Sequence, residues 1–131
     1  MTEIPAQPDD SIARYLYSSQ NFNSHGAKHN AFIDTRNPSE LSVCVTTGLS
    51  EAEIWEIASI IRIDKPVKAR ADLLVSTVQA ISNEQGKNLQ VLIDGILHPR
   101  HANIKHLPLD KSKQRAVAAD LANKSMLKMA A

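Results

Sequence analysis

The sequence predicts a single α+β domain built on a mixed sheet of about four or five strands and about two or three helices, containing βαβ-like units. Apolar, β-branched segments alternate along the chain with helix-like segments, and helix-capping signals stand between them. The length of 131 residues and the hydrophobic content of 43% fit one domain with one core. We expect residues 1–10, which are acidic and contain two prolines, to form a flexible tail, and residues 11–131 to form the domain.

Five segments have the composition or the period of β-strands. Residues 41–47 and 89–94 are short apolar runs that contain β-branched side chains, as buried strands do. Residues 67–73 alternate strictly between apolar and charged side chains, which is the period of a half-buried strand. Residues 12–17 and 29–34 predict one or two further strands, which we expect to add an antiparallel edge to the sheet.

Three helices are predicted from their start signals. Ser50 and Glu53 form a capping box, in which each side chain can accept a hydrogen bond from the backbone N–H of the other residue. Ser76 begins a second possible capping box, and Asp110 is placed to cap the last helix. Because strands and helices alternate, the order favours parallel pairing and right-handed crossovers. The second and third helices are predicted over about residues 77–85 and 111–128.

The charges of the chain are strongly separated. Residues 1–64 carry a net charge of −5 and residues 97–131 a net charge of +5, although the whole chain carries only +1. The basic third could therefore bind nucleic acid, an acidic protein, or the acidic half of the same molecule. It contains none of the five aromatic side chains, so a platform on which bases stack is not expected there.

The leading functional prediction is a small bacterial, cytoplasmic interaction module that binds a charged macromolecular partner, with a role like that of an immunity or antitoxin protein. A protein partner is favoured, and nucleic acid is an alternative. Trp55 either lies at the edge of the core or anchors a partner, because tryptophan is enriched at binding hot spots. The predicted partner-binding residues are Glu51, Glu53, Trp55 and Glu56 in the first helix and Lys111, Lys113 and Arg115 in the last.

The segment 98–106 carries three of the five histidines and predicts a second function. Imidazole exchanges protons near neutral pH, so His98 and His101 could act as acid and base on a phosphate ester or RNA. Arg100 would stabilise the negative charge that develops in such a reaction. A wider anion site would comprise Arg70, Arg100 and Lys105. The first alternative is thus a small metal-independent enzyme, and the second is nucleic-acid binding through the basic C-terminal helix.

Cofactor motifs are missing from the sequence. It has no Walker-type glycine loop, dinucleotide-binding fingerprint, HExxH or paired CxxC, so we predict neither a cofactor nor a metal site. The only cysteine, Cys44, stands in an apolar run and is predicted to be a buried, inert thiol of a protein from a reducing compartment. No apolar run approaches the roughly 20 residues that span a bilayer, so we expect no membrane association. The partner or substrate and the oligomeric state are left open.

Overall fold

The structure is a computed structural model that describes residues 3–130. Strands and helices follow one another in the order β1 to β5, α1, β6, α2, β7, β8, α3 and β9. Two short 3₁₀ turns, Ser19–Asn21 and His29–Phe32, lie before β5. The strands are Ile4–Pro5, Ser11–Leu16, Phe22–Asn23, Gly26–Ala27, Glu40–Val45, Ala69–Leu74, Gln90–Ile93, His101–Lys105 and Met126–Met129, and the helices are Glu51–Ile61, Val75–Glu84 and Lys111–Lys124.

Seven strands form one sheet in the order β1-β7-β8-β5-β2-β6-β9, and β3 and β4 form a separate hairpin. The single α+β sheet architecture is confirmed, but the predicted mixed sheet of four or five strands is wrong. Every hydrogen-bonded neighbour in the described sheet is antiparallel. Three strands of this sheet, β1, β8 and β9, were not predicted from the sequence, and neither was the hairpin of β3 and β4. Ile4 and Pro5, in the segment predicted to be a flexible tail, pair with β7.

The predicted crossovers exist, but other strands lie between the strands that they join. Both β5 and β6 are antiparallel to β2, which lies between them, so β5 and β6 run in the same direction and α1 crosses over β2. In the same way α2 connects β6 with β7, which also run in one direction but are separated by three strands. The two crossovers travel along the sheet in opposite directions. Crossovers of one hand must then place their helices on opposite faces.

The two faces of the sheet carry two separate apolar clusters. Alternating strand residues such as Ile12, Leu16 and Leu41 pack against α2 and α3 on one face. On the other face Tyr15 and Cys44 pack against the Ile54, Ile57 and Ala58 side chains of α1. The prediction of a buried Cys44 is confirmed, and burial raises the pKa of its thiol.

The helix starts agree with the sequence prediction at two positions out of three. The capping box of Ser50 and Glu53 is formed in both directions, with N···O distances of 3.1 and 3.2 Å. Asp110 caps α3 by accepting a hydrogen bond from the Lys113 backbone N–H. The capping box predicted at Ser76 is wrong, because α2 begins directly after β6 and its N-cap residue makes no side-chain bond. Tertiary packing of its buried face, rather than a cap, stabilises that start.

A gap in the sheet between β2 and β5 positions the candidate site. Strand β2 pairs with β6 over its whole length, but it pairs with β5 only at Ile12 and Ala13. Beyond Ala13 the two strands separate, and the Arg14 guanidinium bridges the gap by donating from Nη1 to the Ser42 carbonyl oxygen at 2.9 Å. The 3₁₀ turn His29–Phe32 packs beside the gap, where a strand or extended segment was predicted.

Candidate functional site

A cleft of about 500 Å³ opens where β2 and β5 separate. Its floor is formed by the second half of β2 and by Ser42 of β5. One wall is the segment between β2 and β5, and the other is the end of α1 with the residues that follow it. The lining side chains are Arg14, Tyr15, Leu16, Tyr17, Ser18, Asn21, Asn30, Ala31, Ile33, Asp34, Thr35, Arg36, Ser42, Ile61, Arg62 and Lys65.

The cleft is strongly basic. Four of its lining residues are arginines or lysines, whereas Asp34 is the only carboxylate among them. Within residues 3–130, neither Arg36 nor Lys65 forms an ion pair, and both side chains are exposed. Their positive charges therefore face the solvent of the cleft, and the site favours an anion. The four cationic residues are Arg14, Arg36, Arg62 and Lys65.

Arg14 is held rigidly at the floor of the cleft. Besides its bond to Ser42, it donates from Nε to the Ala31 carbonyl oxygen at 3.0 Å. Burial lowers the pKa of Arg14, and the neighbouring carboxylate of Asp34 acts in the opposite direction. Arginine nevertheless stays charged in proteins, and Arg14 therefore places a fixed positive charge at the floor of the cleft.

Arg62 and Tyr17 form the opposite wall. The Arg62 guanidinium carbon lies 5.5 Å from the centroid of the Tyr17 ring, within the range of a cation–π contact. The Tyr17 hydroxyl donates to the Ala58 carbonyl oxygen at 2.9 Å, which ties the end of β2 to α1. Arg62 also contacts Asp64 at 3.3 Å, but both side chains are largely exposed, so this pair holds the guanidinium only loosely.

This cleft was not predicted from the sequence. Three of its cations, Arg14, Arg36 and Arg62, lie within residues 1–64, which carry a net charge of −5, and Lys65 follows directly. One signal was present in the sequence. Arg14 shares a strand face with the apolar side chains of Ile12 and Leu16, and a charged residue between two buried ones requires partners. The other three cations come together only because the chain folds back along β2.

The structure separates the predicted catalytic residues. His101 begins β8 and points into the α1 face of the sheet, where its side chain is 9% exposed. His98 lies in the preceding loop and accepts the Arg100 backbone N–H through Nδ1 at 3.0 Å. His98 and Arg100 line a groove beside α1, whereas His101 lines a narrow pocket that adjoins the basic cleft. The strand before this loop, β7, lies next to the short edge strand β1 and not in the middle of the sheet.

His101 has a carboxylate partner that the sequence analysis did not assign. Its Nδ1 lies 2.6 Å from Oδ1 of Asp94, and the other Asp94 oxygen accepts a bond from Asn103 at 2.7 Å. Burial by itself would raise the pKa of Asp94, but hydrogen bonds from His101, a backbone N–H and Asn103 outweigh it and lower that pKa. Asp94 is therefore ionised at neutral pH and can orient the imidazole.

The predicted anion site of Arg70, Arg100 and Lys105 is not assembled, because each side chain has a partner of its own. Arg70 is 2% exposed and is paired with Asp72 and Glu51. Lys105 is paired with Glu3 and Glu40, which raise its pKa. The third residue, Arg100, donates to the Thr47 carbonyl oxygen at 2.7 Å.

The predicted acidic face of α1 is only partly available to a partner, because some of its side chains have contacts within the molecule. Glu51 is paired within the molecule, with Arg70 at 2.6 Å and Lys128 at 3.0 Å. Trp55 is half-buried, and its ring lies 4.7 Å from the Arg70 guanidinium carbon, as a residue at the core edge would. Glu53 and Glu56 remain exposed beside the groove of His98 and Arg100. Part of the charge separation is thus neutralised inside the molecule.

The basic residues of α3 lie apart from the cleft. Lys111, Lys113 and Arg115 are exposed and do not line it. Between residues 3 and 130, no three histidine, cysteine, aspartate or glutamate side chains converge in a way that could hold a metal ion. None of the helices in this range has the length and apolar character needed to cross a bilayer. No match to this chain is found among protein-family models, curated proteins or solved structures.

Proposed function

We propose that the protein binds a phosphate-bearing anion in the basic cleft. The observation that carries this proposal is the convergence of four cations, with one carboxylate among them, around a space of about 500 Å³. Arginine guanidinium groups match phosphate geometry and can donate two parallel hydrogen bonds to it. The volume lies within the range of pockets that take small organic ligands or a short stretch of a polymer.

The uncharged lining fits the same ligand class. Ser18, Thr35 and Asn21 contribute hydroxyl and amide groups that can donate to phosphate oxygens. Arg14 contributes a charge that the bonds to Ala31 and Ser42 already hold in place, so little side-chain entropy is lost when it meets an anion. Four cations around one space can contact more than one phosphate group of a ligand.

Binding to the cleft is tested with two probes, a fluorescently labelled DNA hexanucleotide (the deoxyribose hexanucleotide) and inorganic pyrophosphate. We expect the triple change Arg36→Gln, Arg62→Gln and Lys65→Gln to weaken binding of one or both probes by about tenfold or more, because it removes three of the four positive charges that line the cleft. A tenfold loss of affinity corresponds to about 1.4 kcal/mol. Arg14 is left unchanged because it also supports the backbone. The affinity for the hexanucleotide should depend on salt less steeply in the variant than in the original protein.

The matched control removes the same charge elsewhere. The triple change Lys111→Gln, Lys113→Gln and Arg115→Gln should alter binding by less than about twofold, because these side chains do not line the cleft. Loss of binding in this control, with full binding in the cleft variant, would contradict the proposal and favour nucleic-acid binding through α3. Failure of both probes to bind the original protein would also contradict it.

A protein-interaction role is the second candidate, and one surface feature favours it. A groove of about 340 Å³ runs between α1 and the loop before β8. It joins the exposed carboxylates of Glu53 and Glu56 to Ile60, which is 47% exposed, and Leu97 nearby in the chain is 70% exposed. Exposed apolar side chains beside acidic ones fit a partner segment that carries both apolar and basic side chains.

Capture of a partner from the native host, with nuclease present, tests this second candidate. We expect a protein recovered in stoichiometric amount to be lost when Glu56→Lys is introduced, because that change reverses a charge in the groove. The variant Asp9→Lys makes the same change in net charge at an exposed position outside the groove, and it should retain the partner. Equal recovery with both variants would remove this candidate.

A further inference from the structure

A narrow pocket extends the basic cleft toward β8. Its volume is about 50 Å³, which is enough for a water molecule or one small polar group. Five of its seven lining residues also line the cleft, so the two spaces adjoin. The two side chains that it adds are Val43 and His101, and of these only the imidazole can exchange a proton.

The imidazole of His101 has one ring nitrogen that is bonded to Asp94 and one that is not. Nδ1 is occupied by Asp94 at 2.6 Å, and Asp94 is itself fixed by Asn103. The two nitrogens of an imidazole point in divergent directions, so the bond to Asp94 turns Nε2 away from that carboxylate. Among the residues that the structure describes, none forms a hydrogen bond with Nε2. This nitrogen is also not completely buried. An imidazole nitrogen without a hydrogen bond can accept a proton from a ligand group that reaches it.

The charge needed beside such a base is present. Arg14 lines both the cleft and the narrow pocket, and its guanidinium is fixed by carbonyl oxygens on two segments. A fixed cation next to a base can stabilise the negative charge that builds up on phosphate oxygens during a reaction. The cleft therefore combines an oriented base with a preorganised anion site.

We propose that this cleft is the active site of an RNA-cleaving reaction in which His101 is the general base. The inference rests on the proposed binding of a phosphate-bearing anion. RNA fits the chemistry because its 2′-hydroxyl lies next to the phosphodiester, so the substrate itself contains the nucleophile and needs a base and a cation beside it. Asp94 acts as a positioning residue that holds the imidazole by its other nitrogen.

The step conserves every atom and proton. Nε2 of His101 takes the proton of a ribose 2′-hydroxyl, and the 2′-oxygen forms a bond to the adjacent phosphorus. The bond between phosphorus and the 5′-oxygen breaks, and the leaving oxygen takes a proton from solvent. Arg14 contacts the non-bridging oxygens while their charge increases. The products are a 2′,3′-cyclic phosphate end and a 5′-hydroxyl end.

Cleavage of a labelled, mixed-sequence RNA pool is the test, with product ends identified by mass spectrometry. We expect cyclic phosphate ends and no cleavage of the same pool made as DNA. The change His101→Gln should reduce the rate by about 100-fold or more, while the affinity for the deoxyribose hexanucleotide stays within about twofold. The matched change His106→Gln, at an exposed histidine outside the cleft, should leave the rate unchanged.

The outcomes separate this inference from the proposed function. Binding of the hexanucleotide without any RNA cleavage by the original protein would overturn the catalytic inference and leave the binding proposal standing. Absence of both binding and cleavage would overturn both. Cleavage that persists in a folded His101→Gln protein, or that gives products without cyclic ends, would show that His101 is not the base of this reaction. Retained hexanucleotide binding is the measure that the variant is folded.

Discussion

Replacing Phe32 by alanine is expected to lower the free energy of unfolding by about 3–5 kcal/mol, since truncating a buried aromatic side chain loses its burial and leaves a cavity. Phe32 is 1% exposed and is the largest apolar side chain of its segment. It lies in the 3₁₀ turn His29–Phe32 and belongs to the same apolar cluster as α3. Denaturant unfolding monitored by circular dichroism measures this change in the free energy of unfolding.

The same replacement should also weaken anion binding, because Phe32 anchors a wall of the cleft. Its neighbour Ala31 presents the carbonyl oxygen that accepts the Arg14 Nε bond, so movement of the turn would free Arg14. The matched variant Phe22→Ala removes a partly buried ring, and we expect it to cost about 1–2 kcal/mol. Similar losses for the two variants would contradict the view that Phe32 fixes this segment to the core.

Local signals in the sequence predicted the three helices and four of the nine strands, but not how the strands pair. The alternation at residues 67–73 and the capping box at Ser50 depend on neighbours within a few residues, and both correspond to elements of the structure. The order of strands and helices also predicted the crossovers. The predicted pairing is wrong because β2 lies between β5 and β6, and because β2, β5 and β8 lie between β6 and β7. This order depends on contacts between distant parts of the chain. The sequences of two connected strands do not show that a third strand pairs between them.

The candidate site shows the same division between local and distant information. His101 was chosen because histidines are dense in residues 98–106, and it lies at a pocket that adjoins the cleft. Nothing in the local sequence indicates that Asp94, which follows β7, is bonded to His101 at the start of β8. The basic cleft collects four cations from segments up to 51 positions apart in sequence, so net charge along the chain hid it. Charge layout along a sequence is a poor guide to charge in space.

Arg70 is the second position at which a large effect is expected. Its guanidinium is 2% exposed and contacts Asp72 through Nε at 3.0 Å and Glu51 through Nη2 at 2.6 Å. It also lies over the Trp55 ring, and its Nη1 is buried without a hydrogen-bond partner. The change Arg70→Ala should lower the free energy of unfolding by about 3–5 kcal/mol, because it removes the packing of a long buried side chain and leaves a cavity.

The matched variant Arg70→Met separates packing from charge. Glu51 is 58% exposed and Asp72 is 26% exposed, so both carboxylates can be rehydrated when the cation is lost, and methionine fills most of the space. We therefore expect Arg70→Met to cost only about 1 kcal/mol, since apolar replacement of buried ion pairs is often nearly neutral. Trp55 is the only tryptophan, so its fluorescence should report the loss of the cation in both variants. Equal destabilisation by the two variants would mean that the charge of Arg70, and not its packing beneath α1, stabilises this face of the sheet.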